Sequence, residues 1–166
     1  LKEFTANNCS VDFTNSLICG DFDCNGGKFY NKFGWAIKSE CAEIYGSVLL
    51  STELESKCNF HADGFVSFRG SKVGMNFICT DGNFISCKII EHSDRLYSAL
   101  QVDDMAIGGC VELNGKLFIA DGGVSLNGTK ISGYLNCEKG KFIGKNHERW
   151  GNYALRAGKL QVEDSI

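Results

Sequence analysis

The feature that most constrains this chain is that it repeats itself, and a repeat dictates architecture before any local reading does. Phe60-His61-Ala62-Asp63-Gly64-Phe65-Val66-Ser67-Phe68-Arg69-Gly70 returns about 58 residues later as Phe118-Ile119-Ala120-Asp121-Gly122-Gly123-Val124-Ser125-Leu126-Asn127-Gly128. Without gaps, the 26 residues from Phe60 to Ile85 match those from Phe118 to Ile143 at 12 positions. A third copy lies upstream in Phe4, Ala6, Val11, Phe13, Ile18, Phe22, Cys24, Gly27 and Phe29. A second unit alternates with the first: Ile44-x-Gly46-x-Val48-x-Leu50 corresponds to Ile107-x-Gly109-x-Val111-x-Leu113.

Within each unit the period is two. Phe118, Ala120, Gly122, Val124 and Leu126 alternate with their neighbours, as do Ile131, Gly133, Leu135 and Cys137. Alternation of this kind marks half-buried strands, and the glycines between them mark turns. With 20 Gly and no Pro, turns are plentiful and ladder donors are not interrupted. Near-identical segments fit stacked layers, in which equivalent positions share one environment. The sequence therefore predicts an all-β chain: one single-domain right-handed parallel β-helix, or β-solenoid, over residues 1–166. Ile107 and Ile131 set a minimal coil of about 24 residues, and about six coils fit. Cys24, Cys79 and Cys137 form one expected inward row, and Phe29, Phe84 and Phe142 another.

Composition excludes several classes. A net charge of −3 and a hydrophobic fraction of 43% fit an ordinary folded domain and predict no nucleic-acid partner. No apolar run reaches the roughly 18 residues of a membrane span. Nine cysteines without a CxxC pair read as small hydrophobes in a reducing compartment, which predicts a cytoplasmic location. No cofactor and no metal site is predicted. Leu1-Lys2-Glu3-Phe4 carries no initiator Met and no hydrophobic leader, and neither terminus carries a polar cap. The expectation is a piece of a longer solenoid, or self-association through the ends or flanks.

The stretch Ala99-Leu100, Ile107-Gly108-Gly109-x-Val111-x-Leu113, Phe118-x-Ala120-x-Gly122-x-Val124-x-Leu126-x-Gly128, Ile131-x-Gly133-x-Leu135-x-Cys137 and Gly140-x-Phe142 resembles a group of bacterial β-solenoid repeat proteins. Proteins of that group are often labelled membrane-associated oxidoreductases or left uncharacterised. The resemblance implies the fold and carries no chemistry, because the matched positions are apolar, glycine or turn. The strand, Gly-rich turn and helix of a dinucleotide site are absent, so the oxidoreductase label is not adopted.

Variable segments fall just after Phe29, Phe84 and Phe142: Tyr30 to Gly34, Ile85 to Leu96, and Ile143 to Asn152. Aromatic and charged residues collect in or beside them, as on recognition surfaces. The predicted binding residues are Trp35, His92, Arg95, Tyr97, His147, Glu148, Arg149 and Trp150. Tyr153 shares the repeat position of Trp35 and Tyr97, where packing over a core corner is the competing role. His61 is expected to face outward, and Asp63 and Asp121 to form turns. The function expected is a non-enzymatic binding or scaffold solenoid with a protein partner. The alternative is a carbohydrate- or small-molecule-active enzyme using Asp103, Asp104 and Asp121 as a carboxylate cleft. No catalytic residue is assigned.

Overall fold

A computed structural model describes residues 1–53, 58–86, 98–144 and 153–164. Among them are 21 strands and no helix. All the strand pairings are parallel and fall into three stacked sheets. The chain visits sheet 1, then sheet 2, then sheet 3, and returns to sheet 1 one strand further along.

The first round is β1 (Thr5–Asn7), β2 (Val11–Asp12), β3 (Leu17–Ile18) and β4 (Phe22–Asp23). The second is β5 (Lys28–Lys38), β6 (Glu43–Ile44) and β7 (Val48–Leu49). The third is β8 (His61–Ser67), β9 (Lys72–Val73) and β10 (Phe77–Ile78). The fourth is β11 (Asn83–Ile85), β12 (Leu100–Gln101), β13 (Ala106–Ile107) and β14 (Val111–Glu112). The fifth is β15 (Ile119–Asp121), β16 (Val124–Ser125), β17 (Lys130–Ile131) and β18 (Leu135–Asn136). The sixth is β19 (Lys141–Ile143), β20 (Leu155–Arg156) and β21 (Gln161–Val162). Ile107 and Ile131 are direct partners in sheet 2, so the spacing read from the sequence is one round. The arrangement is consistent with a β-helix-like fold.

Side chains that alternate inward from all three sheets build a single core. Val66 and Val124 are buried, while Leu135 and Cys137, at one end of the stack, are half-buried. The expected cysteine row exists with leucines between its members. Backbone hydrogen bonds run from Cys24 to Leu49, Leu50 to Ile78, Cys79 to Glu112 and Leu113 to Asn136, which gives the order Cys24, Leu50, Cys79, Leu113, Cys137. Cys24 and Cys79 are fully buried, but Cys9, Cys19 and Cys41 are exposed, so only part of the cysteine set acts as core.

The phenylalanine row explains why the repeat unit is a pair of rounds. In register, Ala6, Phe29, Ala62, Phe84, Ala120 and Phe142 occupy one position of sheet 1. Two residues earlier in the same rounds stand Phe4, Gly27, Phe60, Gly82, Phe118 and Gly140. Odd rounds thus carry Phe-x-Ala and even rounds Gly-x-Phe. The six rings stack in one column, with centroids 6.2, 5.8, 5.1, 5.9 and 5.2 Å apart from Phe4 to Phe142. A ring bulges in one round where the next has only glycine, so successive layers interlock at close-packed density.

Asp63 and Asp121 are not turn residues, contrary to expectation. Both lie in strands, β8 and β15, each paired with Ile85. The turns use other polar residues. Asp21, Asn25, Asn76, Asp81, Asp103 and Asn127 each accept a hydrogen bond from a backbone N–H of a later round. These bonds satisfy corner donors that leave the sheet ladders.

Candidate interaction face

Tyr30, Asp63, Ile85, Asp121 and Ile143 form one row of sheet 1, and Ile37, Val66, Leu100, Val124 and Leu155 form another further along the strands. Between the rows, odd rounds three and five cross tightly through Gly64 and through Gly122-Gly123. In even rounds two, four and six a longer stretch of sequence separates the two rows. The described residues that flank the three variable segments therefore hold equivalent registers in alternate rounds.

The glycines of the odd rounds make room for the bases of those segments. Gly64 has φ +137°, and a Cβ on it would stand 2.6 Å from the Asn31 carbonyl oxygen and 2.9 Å from that of Gly34. Gly122 has φ +119°, and its Cβ would stand 2.2 Å from Ser86 Oγ. The repeated Ala-Asp-Gly motif is thus a socket under a loop.

In the second round the segment is a bulge inside β5, with register shifts on both sides of Trp35. Asn31 fixes its base: Nδ2 donates to the Trp35 carbonyl at 2.9 Å and to Ser10 Oγ at 3.2 Å. Trp35 is half-buried and meets Phe65 edge-on, with centroids 5.5 Å apart. Phe33, at the tip, is 79% exposed. Lys32 Nζ reaches Asp63 at 3.9 Å. In the sixth round, Tyr153 stands at the returning end with the Arg156 guanidinium 5.2 Å from its ring centroid.

Of the predicted binding residues, Trp35 lies at the base of this face, packed rather than presented. His92, Arg95, Tyr97, His147, Glu148, Arg149 and Trp150 lie outside the described residues. Sequence reasoning missed Phe33. Its signal was a bulky apolar residue in a segment that breaks the alternation on either side.

Shallow grooves lie elsewhere among the described residues. One, of about 460 Å³, sits beside sheet 1 between the loop ending at Cys58-Asn59 and the loop carrying Leu117. Lys28, Tyr30, His61 and Asn83 line it, with Tyr30 and His61 rings 5.2 Å apart. His61 faces outward as expected but is half-buried. Burial holds its imidazole below the usual histidine range, Asp63 opposes that, and Lys28 adds to it. Another, of about 480 Å³, runs over sheet 2 past Glu43, Tyr45, Lys72, Gly74, Gly108 and Lys130. There Lys72 and Glu43 pair at 3.0 Å.

Asp103 and Asp104 of the alternative reading each have partners of their own. Asp103 Oδ1 accepts from Ser125 Oγ at 2.6 Å and from the Asn127 N–H at 2.8 Å. Asp104 is exposed, has φ +55°, and pairs with Arg69 at 3.5 Å. Asp121 sits in β15, before Gly122, whereas Asp103 lies level with Asn127, beyond β16. Among the described residues no group of three His, Cys, Asp or Glu side chains is placed to hold a metal ion. No helix among them is long and apolar enough to cross a membrane.

No family model, no curated protein and no solved structure matches the chain.

Proposed function

We propose that this chain is a right-handed parallel β-solenoid of six coils that acts as a non-enzymatic binding or scaffold protein. Its contact surface is the face from which the segments of coils two, four and six emerge. The observation that carries the reading is the socket arrangement. Gly64 lies against the Asn31–Gly34 segment of coil two and Gly122 against Ser86, where the segment of coil four begins, and both hold a backbone φ that suits glycine alone. Loops held by a rigid scaffold are where recognition concentrates. Phe33 supplies an exposed aromatic anchor there, and Arg149 and Trp150 belong to the matching segment of coil six. The partner proposed is a protein, or a second copy of the chain meeting it end on. A cytoplasmic location is part of the same proposal and rests on unpaired thiols at Cys24 and Cys79 serving as core.

The test compares purified wild type with the triple variant Phe33→Ala, Arg149→Ala, Trp150→Ala, and with Glu43→Ala, Lys72→Ala, an exposed pair on sheet 2, as a control. Each is immobilised and used to capture partners from an extract, and captured proteins are titrated individually. A partner that binds wild type and the control but loses at least about tenfold in affinity to the triple variant supports the face. Equal affinity for all three chains removes it.

A further inference from the structure

The corners that carry the chain from sheet 3 back to sheet 1 alternate in length. Residues 24–27, 79–82 and 137–140 suffice for three of them, whereas residues 50–60 and 113–118 make the other two. The short corner 79–82 is thus flanked by two longer ones, and the groove of about 460 Å³ lies across it. Both flanks are tied to that corner. Thr52 Oγ1 donates to the Asp81 carbonyl oxygen at 2.8 Å, and the Leu117 N–H donates to Asp81 Oδ1 at 2.8 Å. The walls are therefore fixed before anything binds, which lowers the cost of binding. Asp81, the one carboxylate among the described lining residues, is already engaged.

The floor is the outward row Lys28, His61, Asn83 and Ile119, one residue from each of four neighbouring rounds. It runs from cation to hydrocarbon. Lys28 forms no ion pair among the described residues. Burial keeps His61 neutral at pH 7, so its imidazole offers one donor and one acceptor. Asn83 Oδ1 is buried without a hydrogen-bond partner, so the amide gives up no bond at that atom when it turns to a ligand. Leu117, 56% exposed, and Ile119 close the far end. Three steps between rounds at about 4.8 Å give a floor of roughly 14 Å, the reach of about four extended residues.

We infer that this groove binds the carboxyl-terminal end of a peptide, laid across the rounds with its free carboxylate at Lys28, a backbone amide at Asn83 and an apolar side chain against Leu117 and Ile119. The carboxylate supplies the counter-charge that Lys28 lacks. A peptide group carries both a donor and an acceptor, as the Asn83 amide does, so the two are complementary. A simple inorganic anion would use Lys28 and leave Asn83 and the apolar end empty. An uncharged sugar would leave Lys28 unpaired.

The test titrates the 15N-labelled chain with the peptide acetyl-Leu-Ala-Ala-Ala ending in a free carboxylate, with the same peptide ending in a carboxamide, and with acetyl-Ser-Ala-Ala-Ala ending in a free carboxylate. Nuclear magnetic resonance shifts of the Asn83 side-chain amide and of the His61 and Asn83 backbone amides report occupancy. The first peptide is expected to shift them with half-saturation at about 0.1–1 mM. The carboxamide should bind at least about tenfold more weakly, for want of the charge. The Ser peptide should bind at least about fivefold more weakly, for want of the apolar contact. Lys28→Met should bring the acid down to the level of the carboxamide, and Asn83→Asp should weaken it too, by setting a carboxylate beside the ligand's own. Absence of shifts at His61 and Asn83 at the highest peptide concentration overturns the inference, as does equal binding of acid and carboxamide. Sodium acetate giving the same shifts at the same concentrations would show an anion site alone and overturn it as well. Should Asn83→Asp unfold by circular dichroism, Lys28→Met and the three peptides on wild type still decide.

Discussion

Gly140 lies beneath the ring of Phe118: a Cβ on Gly140 would stand 3.1 Å from Phe118 Cδ1 and 2.9 Å from Cε2 of Phe142. Gly82 is crowded as well: its Cβ would meet Phe84 Cε2 and the Leu50 carbonyl oxygen, both at 2.8 Å. Glycine is needed at these sites for space, since neither residue has a positive φ. Gly82→Ala should therefore destabilise by overpacking, by about 1–3 kcal/mol. Urea unfolding monitored by circular dichroism checks this. Phe84→Ala, which empties the middle of the column, should cost about 3–5 kcal/mol in the same assay. Phe33→Ala, at an exposed tip, should stay within about 0.5 kcal/mol of wild type.

Gly64 is bound by conformation as well as by space. Its φ of +137° suits only glycine, and alanine would also press on the Asn31 and Gly34 carbonyl groups. Gly64→Ala should cost about 2–4 kcal/mol and free the base of the Asn31–Gly34 bulge. Limited proteolysis should then cut that bulge faster than in wild type. Unchanged cleavage there would mean that the glycine does not hold the loop.

Asp103 is assigned to structure. Its carboxylate accepts from Ser125 Oγ and from the Asn127 backbone, tying one round to the next. Asp103→Ala should cost about 1–3 kcal/mol by leaving the N–H of Asn127 without that acceptor. Asp103→Asn keeps one acceptor oxygen and should recover most of the loss. If Asp103→Asn instead abolished a measured hydrolytic activity while leaving stability untouched, the carboxylate would have a chemical role.

Buried thiols give the fold an alkaline limit. Desolvation pushes the Cys24 thiol up to about 12 from an ordinary 9.0, and burial also raises Cys79 well above its usual range. Above pH 9 the unfolded chain loses these protons while the folded chain keeps them. The folded state then binds more protons, and its stability falls as pH rises from about 9 towards 12, by up to about 1.4 kcal/mol per pH unit for each thiol. Cys24→Ala should flatten the slope of the urea midpoint against pH in that window. At pH 8, exposed Cys9, Cys19 and Cys41 should react with a thiol reagent in the native state, and Cys24 and Cys79 only after unfolding.

The period-two alternation and the long recurrence made the parallel sheets and much of the core legible in the sequence, because each inward position draws on the same small set of residues in every round. Phe118, Ala120, Val124 and Leu126 face inward as read. The single column of rings was harder to see. Phe60 and Phe84 are not equivalent in the repeat, yet they touch, since the contact joins unlike rounds offset by two residues. Asp63 and Asp121 misled because Asp-Gly is a turn signal by composition, whereas here the glycine follows the strand ladder to clear a neighbouring loop. At the candidate face, the departure points of the variable segments could be read from the repeat. The tip position of Phe33 could not, because it depends on where the register slips around Trp35.

The interlock of Phe-x-Ala with Gly-x-Phe also restricts how such a chain can change length during evolution. Losing or duplicating a single layer would bring two protruding rings together at one level and two vacant levels together at another. Growth and shrinkage that keep the protein folded must therefore proceed in steps of two, so homologues of different size should differ by whole pairs.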